Sequence, residues 1–204
     1  MSTKNKLLFS IVSLVLVALA MGVATFSILS AAQQYIEANI SVVYSAENIN
    51  AKVKGRYSIN GGTPVSLVNS SGGEMLIFEP SEQLATKSLS SSGSISLSPT
   101  IKNVFFVYTF INANPSGGTS MTVTFADGSS KSNLTTKYLS STSSEPTLAQ
   151  TQASSDTTGS LTLTIAANSS GYVAVYVEIS SIYSDATYTS STSAGITSTL
   201  ASGD

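Results

Sequence analysis

The side chains of this sequence offer few groups for catalysis. There is no His and no Cys, which removes Ser-His-Asp and Cys-His nucleophiles, thiol chemistry and the commonest zinc ligands. Three carboxylates lie close together in the segment EMLIFEPSE, at Glu74, Glu79 and Glu82. Glycoside hydrolysis needs an acid and a base in one cleft, and a strand end followed by a proline turn explains these three more simply. We expect no enzymatic activity and no bound cofactor.

Turn-forming residues account for the motifs that resemble ligand loops. Asp127-Gly128-Ser129 begins like a calcium loop, but the Asp and Asn oxygens that such a loop places at alternate positions are missing. We interpret this motif as a hairpin turn. The glycine pairs at 61–62, 72–73 and 117–118 also lie in turn sequences and do not form a phosphate-binding loop. The sequence therefore predicts no metal or phosphate site.

Four Asn-X-Ser/Thr sequons are present, at Asn39, Asn69, Asn133 and Asn168. This motif is the acceptor for N-linked sugar in exported proteins of cells that carry out the modification. Asn69, Asn133 and Asn168 fall in predicted loops, whereas Asn39 falls in a predicted strand. The three loop residues are the better candidates for glycosylation.

The composition favours a globular exported domain. Hydrophobic residues make up 42% of the chain and charged residues only 10%, against about 25% charged in an ordinary soluble domain. Ser, Thr and Asn fill the polar positions, which suits an extracellular surface. The formal charge is −2, and only nine Lys and Arg are scattered along the chain. Such a chain lacks the basic patch that phosphate contacts require, so we expect no nucleic-acid partner.

The first 32 residues form a membrane-targeting segment. Lys4 and Lys6 precede an uncharged, mostly apolar run over 7–32, and this positive flank keeps the N terminus in the cytoplasm while the rest is exported. Small residues precede several cut points, the last of them after Ala32. We expect cleavage, which removes the membrane contact. The alternative is an uncleaved anchor, because the run is long enough to span a bilayer as a helix.

Beyond residue 32 apolar residues alternate with polar ones, which is typical of strands with one buried face. In the segment 35–44 the residues on one face are Ile36, Ala38, Ile40, Val42 and Tyr44. Further strands are predicted over 48–59, 63–68, 74–78, 94–97, 102–111, 120–125, 160–166 and 171–182. Turn sequences separate them, and Asn60-Gly61-Gly62 predicts a hairpin. Many short strands at this spacing predict an all-β fold, an antiparallel β-sandwich.

Two strands and one connection depart from this alternation. The runs NVFFVYTFI and YVAVYVEI are apolar at nearly every residue, which predicts central strands covered on both faces, the alternative being one face buried in a partner. The segment 140–159 is polar and without period. We interpret it as a surface loop, or as an O-glycosylated or disordered insertion.

The strand over 33–45 carries the functional hypothesis, because nothing precedes it once the targeting segment is removed. A terminal strand exposes unpaired backbone groups and an apolar face, and such a strand is able to complete the sheet of a neighbouring subunit. Repetition of this head-to-tail contact gives an open filament. The groove-filling residues are Ile36, Ala38, Ile40 and Val42, in a groove built from strands such as 104–110 and 172–179. The alternative is pairing within its own sandwich.

The arrangement of these segments resembles a group of exported filament proteins. The junction GVATFSILSAA is followed by YIEANISVVYSAENINAKVKGRYSI, then by VFFVYTFINANPSGGTSMTVTF, and late in the chain by GYVAVYVEISSIYSDATY. This layout is similar to sandwich subunits of the TasA and camelysin type and to archaeal thread and bundling-pilus subunits. The resemblance covers most of the chain and rests on arrangement, not on a diagnostic motif.

The resemblance implies a jelly-roll-like subunit of a homopolymeric extracellular fibre that serves adhesion or biofilm formation, built by donor-strand complementation. For the thread type it also implies glycosylation. Camelysin-type proteins have been described as metalloproteases, but this sequence has no His and hence no HExxH motif, so it does not support that activity.

The predicted organisation is a targeting segment over 1–32, a donor strand over 33–45 and a β-sandwich over 46–204 that contains the polar connection 140–159. The expected location is the cell surface. Two other functions stay open. A membrane-anchored display or adhesin domain keeps 7–32 as a helix and binds a partner through its loops, and a secreted carbohydrate-binding module uses an aromatic platform, for which the nine Tyr are available.

Overall fold

The computed structural model describes residues 34–82, 84–91, 95–97, 103–129, 134–179, 187–189 and 192–198. The targeting segment predicted over 1–32 lies outside these ranges. The strands of the described residues are β1 (Gln34–Glu37), β2 (Asn39–Tyr44), β3 (Ala51–Ile59), β4 (Val65–Ser66), β5 (Leu76–Phe78), β6 (Ala85–Ser90), β7 (Ile95–Leu97), β8 (Asn103–Asn112), β9 (Met121–Asp127), β10 (Leu134–Ser141), β11 (Ser160–Ile165), β12 (Ser169–Ile179), β13 (Thr187–Thr189) and β14 (Thr192–Ser198). A short helix, α1 (Leu148–Gln152), lies between β10 and β11.

The strands form two packed layers. Sheet I has the order β10-β12-β8-β3-β4, with β5 also paired to β3, and sheet II has the order β11-β9-β14-β2-β6. A third, three-stranded sheet has the order β13-β1-β7, and one residue separates its central strand, β1, from β2. The protein is therefore an all-β sandwich, as the sequence predicts.

Two strand pairs are parallel, which the prediction of a purely antiparallel sandwich did not include. β14 runs parallel to β2, and β13 runs parallel to β1. Hairpin-connected neighbours must be antiparallel, but β2 and β14 lie far apart in sequence and no hairpin constrains them. The pairing of β2 with β14 brings strands from the two ends of the described chain together inside sheet II.

A single apolar core fills the space between the sheets. Alternate residues of β9, Met121, Val123 and Phe125, are buried from the sheet II side. Tyr108 of sheet I meets Phe125 with ring centroids 5.7 Å apart. Aromatic pairs at this separation add to the stabilisation that their burial provides, so the two sheets are held together by ring contacts as well as by aliphatic packing.

The outer face of sheet I is covered by the segment that follows β10. Phe105 and Val107, on the face of β8 away from the core, are 9% and 2% exposed and form a second small cluster against Leu148 of α1. Phe106, between them, belongs to the main core. The prediction that this apolar strand is covered on both faces is confirmed.

The polar connection 140–159 is structured and mostly exposed, which agrees with its interpretation as a surface loop and argues against the alternative of a disordered insertion. Thr147 and Gln150 form a reciprocal capping box at the start of α1, and the Ser154 hydroxyl donates to the carbonyl of Tyr138 at 2.5 Å. The helix has five residues, and a helix of this length is too short to display a helical period in the sequence. The described part of the chain contains no helix long and apolar enough to cross a membrane.

The hairpin predicted at Asn60-Gly61-Gly62 is confirmed. β3 and β4 are antiparallel, and Asn60 and Gly61 have φ angles of 48° and 70°, the left-handed values that a tight two-residue turn needs. The strand predicted over 63–68 is shorter than expected, since only Val65 and Ser66 pair with β3.

Candidate subunit interface: the N-terminal strand and its groove

The N-terminal strand, defined here as residues 34–44, occupies an interior position in two sheets, since β1 lies between β13 and β7 and β2 lies between β14 and β6. Val42 lies beside Ala194 of β14 on one side and opposite Lys87 of β6 on the other. Both backbone edges of β2 are therefore engaged. Ile, Val and Tyr dominate the segment, and such side chains favour an extended backbone on a half-buried sheet.

Four aliphatic side chains of this strand point into the core. Ile36, Ile40 and Val42 are 0% exposed and Ala38 is 2% exposed. Full burial of one branched aliphatic side chain stabilises a protein by about 1.5–3 kcal/mol, so the three branched residues contribute an amount comparable with the net stability of a small domain. The facing predicted from the alternation is confirmed, and in the single chain these residues fill the chain's own core.

Tyr44 ends the strand and occupies the most specific part of the groove. Its side chain is 0% exposed, its ring stacks on Phe78 with centroids 5.3 Å apart, and its hydroxyl donates to the carbonyl of Ile49 at 2.6 Å. Burial raises the pKa of Tyr44 above its ordinary value. Unlike the four aliphatic positions, this subsite joins ring packing to one directional hydrogen bond.

The connection 45–50 links the N-terminal strand to the remainder of the domain. The N–H of Ser45 donates to the carbonyl of Ile196 at 2.9 Å. At the far end the side chain of Asn114 bonds the backbone at two points, since its Nδ2 donates to the carbonyl of Asn48 at 2.8 Å and its Oδ1 accepts the N–H of Asn50 at 2.9 Å. Residues 48–50 are therefore fixed to the loop after β8, whereas Glu47, between these anchors, is exposed.

A second buried amide supports this clamp. Asn112 is 0% exposed, and its Oδ1 accepts the N–H of Asn114 at 3.2 Å. Its Nδ2 donates to the carbonyls of Thr119 and Ile165, at 2.9 and 3.2 Å. Buried polar groups are costly unless they are hydrogen-bonded. Here two of the bonds hold the loop after β8 to the end of that strand, and the bond to Ile165 ties it to the end of β11.

The groove walls differ from those predicted. β6 and β14 flank β2, whereas the strands predicted as walls, 104–110 and 172–179, belong to β8 and β12 in the opposite sheet. Sequence reasoning missed β6 and β14 because ATKSLS and TSAGITS contain few apolar residues. The inward-facing residues of these two strands are Leu89, Ala194 and Ile196, and their alternation with Ser, Thr and Gly is the signal that was available.

The three clustered carboxylates do not form an acid–base pair. Lys87 donates to both carboxylate oxygens of Glu82 at 2.8 Å, and this bond lowers the pKa of Glu82 below its ordinary value. Glu82 also accepts the N–H of Glu79 at 3.1 Å, while Glu74 is exposed. Glu79 and Glu82 therefore belong to the turn after β5. Among the described residues, no group of three or more potential metal-ligating side chains is assembled.

Asp127-Gly128-Ser129 is not a hairpin turn, which corrects the sequence interpretation. β9 pairs with β11 and β14, whereas the next strand, β10, lies in sheet I, so the motif opens a crossover between the sheets. One carboxylate oxygen of Asp127 accepts the hydroxyl of Tyr138 at 2.6 Å, and the other accepts the N–H of Ser129 at 3.0 Å. These bonds anchor the crossover at the sheet II end.

The sequons occupy contrasting environments. The Asn69 side chain is engaged in its own turn, because its Oδ1 accepts the N–H groups of Ser71 and Gly73, each at 2.9 Å. Asn168 is exposed, with φ 56°, between β11 and β12. Asn39 is exposed although it lies in β2. Asn133 lies outside the described residues.

Tyrosines do not form an open platform in the described part of the chain. Those with described side chains are buried or half-buried, namely Tyr44, Tyr57, Tyr108, Tyr138, Tyr172 and Tyr176. A sugar-binding platform needs exposed ring faces. The described residues therefore lend no support to a carbohydrate-binding module.

Comparisons with known proteins leave the family of the chain open. No protein-family model matches it, and no curated protein matches it. Among solved structures, it is similar to the Fcho1 Mu homology domain of Danio rerio with bound Eps15 peptide, with a TM-score of 0.22 and 6% identity over 82% of this chain and 96% of that chain. A TM-score of this size carries no argument about fold or function.

Proposed function

We propose that this protein is a structural subunit of an extracellular filament, in which the N-terminal strand of one copy completes sheet II of the next. The observation that carries the proposal is the position of this strand. It lies between β14 and β6 in the sheet, its apolar side chains lie in the core, and the connection 45–50 joins it to β3. A strand so placed is able to leave its groove by straightening that connection.

Exchange of the strand between copies conserves its contacts. The groove vacated between β14 and β6 accepts the same strand from another copy, with the same strand pairs and the same buried residues. Swapping of an identical element in this way is a low-cost route to assembly. Because each copy donates one strand and accepts one, the contact runs head to tail and propagates as an open filament.

The location of the filament follows from the targeting segment over 1–32 and from the uncharged, hydroxyl-rich composition. These features support export and assembly at the cell surface, where the fibre serves adhesion or biofilm formation. The membrane is then contacted only through residues 1–32, before cleavage. The jelly-roll-like arrangement implied by the resemblance to TasA and thread subunits is part of this proposal.

A reversible covalent lock tests the proposal. The N–H of Ser91 donates to the carbonyl of Ala38, so residues 38 and 91 form a hydrogen-bonded pair of the antiparallel ladder. Hydrogen-bonded and non-hydrogen-bonded pairs alternate along such a ladder, and the opposed residues Val43 and Thr86 therefore form a non-hydrogen-bonded pair. Such pairs have Cα atoms about 4.5 Å apart, within the span of a disulfide. Since the chain has no Cys, Val43→Cys with Thr86→Cys introduces a single pair that, once oxidised, fixes the strand in its own groove.

A matched lock elsewhere in sheet II is the control. Thr124 of β9 is opposite Thr162 of β11, both are exposed, and neither belongs to the exchanging strand. By electron microscopy we expect filaments from Thr124→Cys/Thr162→Cys in the oxidised state. The oxidised 43–86 variant is expected to remain monomeric until a reductant is added. Filaments from the oxidised 43–86 monomer would overturn the proposal.

A further inference from the structure

We propose that Tyr44 determines the register of the N-terminal strand in its groove, and that the receptor it recognises is the carbonyl of Ile49 together with the ring of Phe78. This inference deepens the proposed function and rests on it, because it identifies the residue that aligns one copy on the next. It concerns the strand in the groove of another copy, because in a single chain the short connection from Tyr44 to the clamped Asn48 also restrains the register.

The facing of the side chains does not fix the register completely, because a slip of two residues keeps the same face inward. A slip of one residue is excluded, since it turns every apolar side chain to the outer face. A slip of two residues keeps the facing, but it places Ala38 at the buried site of Ile36 and Ile40 at the buried site of Ala38. The aliphatic positions oppose such a slip through size alone, by a cavity at one site and overpacking at the other, and they provide no directional contact.

Tyr44 discriminates between these registers. In the observed register it lies opposite Ala85, its ring stacks on Phe78 and its hydroxyl bonds the carbonyl of Ile49. A slip of two residues places Tyr44 at the position of Val42, opposite Lys87, and places Ala46 against Phe78. The carbonyl of Ile49 and the hydroxyl of Tyr44 then both lose their partner inside the protein, and a buried polar group without a partner is costly.

The receptor is held in place by the rest of the domain. Asn114 fixes the backbone at Asn48 and Asn50, on either side of Ile49, and the N–H of Ala113 donates to the carbonyl of Asn50 at 2.7 Å. The Ile49 carbonyl is therefore held in place by contacts that do not involve the N-terminal strand. In an exchanged assembly, the Ile49 carbonyl of the accepting copy meets the Tyr44 hydroxyl of the donating copy.

Disulfide mapping of the register tests the inference. Cysteine pairs at 43 and 86 report the observed register, and pairs at 43 and 88 report a slip of two residues, because Ser88 is the next outward-facing residue of β6. Filaments of each pair, assembled under reducing conditions and equilibrated in a thiol–disulfide buffer, are compared with and without Tyr44→Leu. The control is Val42→Ala, which removes apolar volume from the same strand and keeps the tyrosine.

With Tyr44 present, and equally in the Val42→Ala control, we expect bonds at 43–86 and almost none at 43–88. With Tyr44→Leu, the ratio of 43–88 to 43–86 bonds is expected to rise by about tenfold, the factor that one net hydrogen bond represents. An unchanged ratio in Tyr44→Leu filaments would overturn the register inference and leave the filament intact. Bonds found only within single chains contradict the proposed function, and with it the register inference that rests on it.

Discussion

The side-chain oxygen of Asn114 accepts the backbone N–H of Asn50 at 2.9 Å, although the two residues are 64 positions apart. The amide nitrogen of the same side chain donates to the carbonyl of Asn48. One side chain therefore satisfies two backbone groups of the connection between the N-terminal strand and β3. In the proposed exchange, residues beyond 48 stay with the domain, and the chain pivots between Ser45 and Glu47.

Replacement of Asn114 is expected to loosen this connection. Asn114→Ala leaves two backbone groups without partners and lowers the free energy of unfolding by about 1–3 kcal/mol. It also exposes the Asn50 amide, whose hydrogen exchange accelerates. Urea unfolding and hydrogen exchange measure the two effects. The control Thr164→Ala, on the exposed face of β11, changes stability by about 0.5 kcal/mol or less, and equal effects of the two substitutions contradict the assigned role of Asn114.

Two neighbouring residues of β2, one buried and one facing outward, test whether burial or mere presence in the strand decides the effect of a charge. Ile40 is 0% exposed, whereas Ser41, the next residue, faces outward and is half-buried. Ile40→Asp places an unpaired charge in the core and is expected to cost about 3–5 kcal/mol and to abolish assembly. Ser41→Asp, with the same charge one position away, is expected to keep both the fold and the filament. Loss of assembly in both variants, as judged by sedimentation, contradicts the facing of the strand.

Alkaline pH is expected to lower the free energy of unfolding, because it favours ionisation of the buried Tyr44 hydroxyl of the N-terminal strand. Burial raises the pKa of Tyr44 in the folded chain, so the unfolded chain loses its proton first. The stabilisation is therefore complete below about pH 10, the ordinary pKa of tyrosine, and declines as pH rises through the folded pKa, by at most about 1.4 kcal/mol per pH unit. Tyr176, whose pKa burial also raises, contributes in the same direction.

The check is a pair of conservative substitutions. Tyr44→Phe and Tyr176→Phe are each compared with the unmodified chain by urea unfolding at pH 8 and at several values above pH 10. Each substitution is expected to flatten the alkaline loss of stability. If Tyr44→Phe leaves the dependence of stability on pH unchanged, the Tyr44 hydroxyl has the same pKa in the folded and unfolded chains, which contradicts the expectation.

The cover over sheet I is expected to depend on Leu148. This residue packs on the outer cluster that contains Phe105. Leu148→Asp releases the segment 142–159, exposes that cluster and should increase both proteolysis within the segment and binding of a hydrophobic dye. Ala149→Asp, at an exposed position of the same helix, is the control. Dye binding and cleavage that are the same for the two variants contradict the role of α1 as a cover.

The sequence predicted well those strands whose inward residues are large and apolar. β2, β3, β8, β9, β11 and β12 were recognisable from their alternation or from continuous apolar runs. β6, β10, β13 and β14 were missed because Ser and Thr fill half or more of their positions, and their pairing depends on neighbours that are distant in sequence. Both strands that flank β2 are among these missed strands.

The candidate interface was predictable only in part for the same reason. The alternation identified Ile36 and Ile40 as inward-facing, because the period of a strand is local information. The stacking of Tyr44 on Phe78 and the clamp from Asn114 require contacts between segments far apart in the chain. In the sequence Asn114 is recognisable only as part of an Asn-Pro-Ser-Gly-Gly turn. Its side-chain hydrogen bonds cannot be predicted without the fold, because their partners are distant in the chain.

The most direct test of strand exchange is the connectivity of a cross-link made after assembly. Chains with Val43→Cys and Thr86→Cys are assembled in reductant, oxidised as filaments and separated by non-reducing denaturing gel electrophoresis. We predict a ladder of covalent multimers, because residue 43 of each copy lies opposite residue 86 of the next. The Thr124→Cys/Thr162→Cys filaments, treated in the same way, are predicted to run as single chains. A 43–86 variant that also runs only as single chains, from filaments confirmed by microscopy, contradicts exchange of the N-terminal strand.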